Sequence, residues 1–229
     1  MAACLIDIDL GELPDEPEEL YALAHLANVA CGGHAGDEAS MRAALERCVR
    51  HGAAAGAHPS FPDREGFGRR VLAMDPAALR REVERQCAVL AAAAAHVGTS
   101  IGHVKAHGAL YHAADRDLAL AVALLEGAAT SLGQGVRVIG PPGGALSRAA
   151  AVLGLPFLRE GFADRGLLPD GTLVPRGHPG ALLVDATLAR TQAVRLATSG
   201  SVDVLCVHGD GPAALSIARA VRAGLDALP

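Results

Sequence analysis

Long apolar runs, lysine, patterned cysteine and nucleotide-binding motifs are all scarce or missing in this sequence, and each lack removes a class of function. No uninterrupted apolar run approaches the ~20 residues that a bilayer span requires, so a membrane protein is not expected. The five cysteines (Cys4, Cys31, Cys48, Cys87, Cys206) form an odd set without a CxxC pair. That argues against a disulfide framework and a zinc ribbon, and most are expected to be buried small hydrophobes. Net charge is −5 and the 19 arginines are scattered, so the electrostatic footprint of a nucleic-acid binder is missing. There is no GxxxxGK(S/T), no GxGxxG after a strand, no HExxH and no serine in a nucleophile elbow, so autonomous nucleotide binding has no motif to support it. The start of the chain, Met1-Ala2-Ala3-Cys4, lacks a basic region and a cleavage site, and a cytoplasmic location is expected.

What is present is ample core material: hydrophobic residues make up 51% of 229 residues, enough for one globular domain spanning residues 1–229. A short apolar run, a polar or glycine-rich turn and a segment of helical periodicity recur along the chain. Strands are expected at Ala3–Asp9, Ala27–Ala30, Ala53–Ala57, Gly102–Lys105, Val136–Gly140, Pro156–Glu160 and Val202–Val207. Helices are expected at Glu16–His25, Asp37–His51, Asp75–Val97, Asp115–Leu132, Gly144–Leu153, Ala186–Thr198 and Pro212–Ala227. Such alternation implies a parallel sheet, either closed as a barrel or doubly wound, and the pattern alone does not separate the two. The segment from Gly161 to Gly180 reads as a long loop with a small hairpin around Pro169-Asp170-Gly171-Thr172.

Polar residues gather where the strands end. Asp7, Asp9 and Glu12 follow the first strand; Asn28, His34 and Asp37 the second; His58 and Asp63 the third; Lys105 and His107 the fourth. Glu160, Asp164 and Arg165 follow the sixth, and His208 and Asp210 the seventh. In parallel α/β folds these ends open on one side, so the groups are expected to converge on one active-site face. Lys105 is the only lysine beside 19 arginines, which suggests a role that guanidinium cannot fill, such as a desolvated amine or a compact charge on a substrate carboxylate. His25, His51 and His96 read as structural, whereas His34, His58, His107 and His208 lie in glycine-containing turns and read as functional. For His103 and His112 both readings stand. Imidazoles with carboxylates hold a divalent metal or do acid–base work, and the spacing does not decide between them. The tract Phe61–Arg70 reads as a lid or anion-binding loop, or as a loop fixed by arginine–carboxylate pairing. Cys31 and Cys206 lie near the clusters and are expected to be buried strand-end residues, not nucleophiles.

The segments Asp9-Leu10-Gly11-Glu12, Ala27 to Asp37, Gly56-Ala57-His58-Pro59, Gly66 to Arg70, Val104 to Tyr111, Phe162-Ala163-Asp164-Arg165 and Cys206 to Asp210 together resemble the LamB/YcsF family, in family order and over nearly the whole chain. The resemblance implies an irregular seven-stranded β/α barrel of the glycoside hydrolase/deacetylase type. It also implies ATP-dependent opening of the 5-oxoproline lactam to glutamate, carried out with separate subunits B and C. ATP then enters through the complex, consistent with the lack of a nucleotide motif here. Departures from the family are Asp7 for Asn, Gly33 for Phe, Ala106 for Pro, His112 for Asn and Leu167 or Leu168 for an aromatic, with shorter loops after Glu12 and between Thr198 and Val202.

On this reading the catalytic candidates are Asp9, His34, His58, Lys105, His107, Asp164, His208 and Asp210. Substrate-binding candidates are Asn28, Asp37, Arg69, Arg70, Glu160 and Arg165. Lys105 or Arg165 is expected to hold the substrate carboxylate, with Asp9, Asp37, Asp164 and Asp210 orienting the imidazoles. A divalent metal is a possible cofactor, with Asp9, His34 and His58 as its candidate ligands. The rival readings are a stand-alone metal-dependent amidohydrolase or deacetylase and a non-catalytic subunit of a hydrolase complex.

Overall fold

Short strands that alternate with helices bury both faces only if the helices wrap the sheet, and here the sheet closes on itself. The computed structural model describes residues 4–228; the expected strand start at Ala3 lies outside the described residues. The elements in order are β1 (Leu5–Leu10), α1 (Glu19–Leu23), β2 (Leu26–Ala30), α2 (Glu38–His51), β3 (Ala54–His58), α3 (Pro76–Val97), β4 (His103–Lys105) and α4 (Gly108–Arg116). They continue with α5 (Leu118–Leu132), β5 (Arg137–Gly140), α6 (Ala145–Leu153), β6 (Phe157–Phe162), α7 (Ala186–Ser199), β7 (Val204–His208) and α8 (Ala214–Asp226). The seven strands pair in parallel in chain order, and β7 returns to β1, so the barrel alternative holds and the doubly wound one does not.

Successive side chains on a strand face opposite ways, and in this barrel the two faces differ in chemistry. Ile6, Ile8 and Leu10 of β1 face outward into the main core shared with the helices. The intervening Asp7 and Asp9 meet side chains from β2, β4 and β7, which only the lumen allows. Leu26, Ile139 and Val204, with Leu5 and Leu158 against them, form a small separate apolar cluster that floors the lumen. Above that floor the lumen is mostly polar, with the Phe162 ring set against Lys105 and stacked on His208. The register sets Asp9 beside Asn28 on one side and His208 on the other.

Aspartates end the loops and start the helices. Asp37, Asp75, Asp117 and Asp185 each accept backbone N–H groups as N-caps of α2, α3, α5 and α7, satisfying donors that a helix start leaves open. The expected helix Asp115–Leu132 is in fact the end of α4 plus α5, divided at Asp117, whose side chain opens the second helix. Helix α4 was not foreseen because its start, His107-Gly108, reads as a turn. The expected hairpin is present: Leu167 bridges Leu173, and Asp170 Oδ1 accepts from the backbone N–H of Thr172 at 2.9 Å.

Candidate active site in the barrel mouth

Directly above the apolar floor, Lys105 Nζ sits 2.8 Å from both Asp7 Oδ2 and Glu160 Oε1, 2.9 Å from Asp9 Oδ1 and 3.0 Å from Cys206 Sγ. An ammonium has three N–H donors, and Asp7, Asp9 and Cys206 engage them, so none is left for a substrate carboxylate. A guanidinium would not fit between four convergent groups, which is the physical reason this one position is lysine. Burial works against the charged amine, but Asp7 and Asp9 outweigh it and raise its pKa. Asn28 donates to Asp7 Oδ2 at 2.7 Å and Asp9 Oδ1 at 2.8 Å, and its carbonyl oxygen lies 3.0 Å from His103 Nε2. Burial, aided by the charge of Asp7 and opposed by Lys105, lifts Glu160 to about 8, so this carboxyl is neutral near pH 7. Tyr111 of α4 lies beside Glu160 in the same layer.

The next layer holds three of the four turn histidines. His58 Nδ1 lies 2.8 Å from the Lys105 carbonyl oxygen, and His107 Nε2 lies 2.9 Å from that of Phe67. Their other nitrogens, His58 Nε2 and His107 Nδ1, face each other at 3.0 Å. Asp9 Oδ2 is 3.4 Å from His58 Nε2, and Glu12 Oε1 is 3.2 Å from His107 Nδ1 and 2.9 Å from His34 Nε2. His34 stacks on His107 with ring centroids 3.6 Å apart. Burial depresses the His34 imidazole to about 4 despite its contact with Glu12, so it is neutral. Burial would raise the Asp9 carboxyl, but His58 and Lys105 hold it well below the usual range.

The rim carries the fourth histidine. His208 Nδ1 lies 3.0 Å from Asp164, whose Oδ2 also accepts the His208 backbone N–H at 2.8 Å. Its other nitrogen has no hydrogen bond among the described residues, and its side chain is 15% exposed where His34, His58 and His107 are closed off. Burial works against the charged His208 ring, but Asp164 and Asp9 together outweigh it and raise its pKa. Arg69 pairs with Asp210, linking the loop after β3 to the loop after β7. Arg165 spends its Nε on the Ala181 carbonyl and Nη2 on that of Val174, both at 2.9 Å, which ties down the long loop.

Two candidates lie outside this convergence. Asp37 is exposed and forms a capping box with Ser40, so its carboxylate serves α2 and not an imidazole. Arg70 and Asp63 clamp each other, with Asp63 also accepting from the Gly66 backbone at 3.0 Å, so the structural reading of that loop holds for Arg70. Conversely, Glu12, Asp7, Tyr111 and Cys206 belong to the clusters although none stood among the candidate site residues. Asp7 and Glu12 were visible as acids at the end of β1 and Cys206 as a strand-end thiol near the clusters; Tyr111 stood out only as the end of a family-like segment. Four groups of donors lie close enough to surround an ion: Asp9 with His58 and His107, Glu12 with His34 and His107, Asp9 with Cys206 and His208, and Asp7 with Glu160 and Cys206. The last already surrounds the Lys105 ammonium and has no need of a metal.

The LamB/YcsF family model matches residues 8–228. The chain belongs to the LamB/YcsF family. This LamB/YcsF chain is 42% identical to the A subunit of a 5-oxoprolinase from Methylococcus capsulatus, over 97% of this chain and 92% of that protein. A protein of the same name from Chloroflexus aggregans is 42% identical over 93% of this chain and 88% of its own length. A solved structure, a lactam utilization protein from Thermus thermophilus, superposes with a TM-score of 0.91 at 34% identity, covering 98% of this chain and 96% of that one.

Proposed function

We propose that this LamB/YcsF protein is the A subunit of an ATP-dependent 5-oxoprolinase, which opens the lactam of 5-oxo-L-proline to L-glutamate together with 5-oxoprolinase subunits B and C. The observation that carries the reading is the near-complete overlap with relatives of that name, 97% of this chain at 42% identity in one case. No helix among the described residues is long and apolar enough to cross a membrane, and we assign the protein to the cytoplasm.

A lactam carbonyl is a poor electrophile because amide resonance must be broken. ATP, brought by the complex, removes that obstacle by phosphorylating the carbonyl oxygen, with ADP leaving. Water then adds at the carbon and the C–N bond breaks, leaving γ-glutamyl phosphate, whose acyl phosphate a second water hydrolyses to glutamate and phosphate. His208 is the base in this reading: Asp164 holds its Nδ1, leaving Nε2 to take a proton from water and return it to the departing nitrogen. The substrate carboxylate is received by Arg69, which exchanges Asp210 for it, and by the uncommitted Nη1 of Arg165. Burial, Arg176 and Arg69 all hold the Arg165 guanidinium below its ordinary value, a sign of positive charge gathered without enough counter-charge. Lys105 keeps three buried acids in place at the base of the site and does not itself touch substrate.

Glutamate formation from 5-oxoproline and ATP is the test, comparing this chain, subunits B and C, and the mixture. Turnover in the mixture only is the expected result. Turnover by the isolated chain without ATP would replace this reading with a stand-alone hydrolase, and a mixture no faster than B and C alone would leave a non-catalytic subunit.

A further inference from the structure

Four acceptor atoms converge between His58 and His107. His58 Nδ1 is 2.8 Å from a carbonyl oxygen, and His107 Nε2 is 2.9 Å from another. A carbonyl only accepts, so both of these nitrogens carry their ring's proton. The nitrogens left bare are His58 Nε2 and His107 Nδ1, which face each other at 3.0 Å. Two carboxylate oxygens complete the group: Asp9 Oδ2 at 3.4 Å from His58 Nε2, and Glu12 Oε1 at 3.2 Å from His107 Nδ1 and 3.8 Å from His58 Nε2. Lone pairs and negative charge do not converge in a buried site without a proton or a metal ion between them.

The edge lengths identify the kind of cation. Donors about 2.0–2.1 Å from a tetrahedral ion lie roughly 3.3 Å from one another; of the six separations among these four atoms, four run from 3.0 to 3.8 Å around that value, and Asp9 to His107 is within 4.8 Å. We propose that His58 Nε2, His107 Nδ1, Asp9 Oδ2 and Glu12 Oε1 form a binding site for one divalent transition-metal ion of the zinc class. Two imidazoles and two carboxylates suit such an ion better than calcium or magnesium, which favour all-oxygen shells. The surroundings match those of a metal site. Each imidazole donates its far N–H to a backbone carbonyl, the arrangement that fixes ring and tautomer in metal-ligating histidines. Asp9 Oδ1 is held by Lys105 and Asn28, leaving Oδ2 for the ion. His34 has one nitrogen 2.9 Å from Glu12 and the other without a partner, so it donates to Glu12 and is a positioning residue, not a ligand. The ligand set therefore replaces the sequence candidate His34 with His107 and Glu12. An ion there lies next to His208, whose donor atom closes with Asp9 and Cys206 into a neighbouring group.

The site stands apart from the lactam assignment, because it is read from binding to the isolated chain. The purified chain is stripped with chelator and titrated with Zn²⁺ and with Co²⁺, following heat, bound metal after desalting, and the visible spectrum of the cobalt form. One equivalent bound, a tetrahedral cobalt spectrum and a rise in Tm are expected. Affinity should fall at least 100-fold in His107→Ala and His58→Ala and stay unchanged in His96→Ala, whose ring lies on exposed α3. Glu12→Gln keeps the shape of the site and serves where the alanine variants do not fold; it too should weaken binding at least tenfold. No stoichiometric uptake of either ion would overturn the proposal and leave a single proton shared between the two rings. Uptake that the His58, His107 and Glu12 variants do not change would overturn it as well.

Discussion

His208 and Asp164 are the residues on which the proposed chemistry turns, since this imidazole has a carboxylate behind it and turns its free nitrogen to the rim, with its side chain 15% exposed where that of His34 is closed off. Replacing His208 by Ala is expected to cut glutamate formation in the reconstituted complex by roughly 10²–10⁴-fold, the usual range for loss of a general base, with the circular dichroism spectrum unchanged. Asp164→Asn should cause a comparable loss, because an amide no longer enforces the tautomer; wild-type turnover in either variant would remove His208 from the mechanism. Glu160 makes a second prediction. Its folded pKa of about 8 stands above the ordinary 4.5, so the native chain holds the proton more tightly than the unfolded one. Its contribution to stability is thus fully present below the unfolded value and is lost as pH rises toward the folded one, at up to about 1.4 kcal/mol per pH unit. The stability of Glu160→Gln relative to wild type should climb between about pH 5 and pH 8 and then level off. Parallel pH profiles for the two proteins would show that Glu160 is ionised.

At the scale of elements, the loop between β3 and α3 is as much a part of the site as any strand. Phe67 adopts φ 52, unusual for a bulky residue, and from there its carbonyl reaches His107. Next to it Gly68 has φ +66, and a Cβ there would come 2.8 Å from His107 Cδ2 and 2.9 Å from His34 Cβ. Gly68→Ala should therefore lower stability by about 1–3 kcal/mol and depress turnover more than a matched surface change, read by thermal unfolding and by kcat. Strand β3 has a similar constraint inside the barrel: a Cβ on Gly56 would lie 2.1 Å from the His103 ring. Gly56→Ala alone should be strongly destabilising, whereas Gly56→Ala with His103→Ala should lose less than the sum of the two single changes. Strict additivity would mean that the ring does not fill the space over Gly56.

Across the whole molecule, the barrel divides two environments, an oily shell between strands and helices and a polar lumen closed below by five apolar side chains. The thiols report on both. Cys31 and Cys48 are pushed by burial up to about 12, burial also places Cys87 and Cys206 well above their ordinary value, and partly buried Cys4 is raised to about 11. At pH 8 the native protein should react slowly with a thiol reagent, at Cys4 first, and all five cysteines should label at once in guanidinium chloride. Rapid labelling of Cys206 in the native state would contradict the closed lumen.

The sequence by itself determined the alternation of seven strands with helices and the placing of acids, imidazoles and the lone lysine at strand ends, because periodicity and turn chemistry are local. Family membership was equally legible, since its segments are contiguous. Only the tertiary structure decided that the sheet closes, that Lys105 is consumed by Asp7, Asp9, Glu160 and Cys206, that Arg70 fixes a loop, and that Asp37 caps a helix. It alone placed Tyr111 beside Glu160, brought Glu12 against His107 and set His58 Nε2 and His107 Nδ1 face to face. A strand's two-residue period tells which side chains share a face, but contacts across the lumen join β1, β4, β6 and β7, far apart in the chain. Their protons and charges are settled by distances that come into being only when the barrel closes.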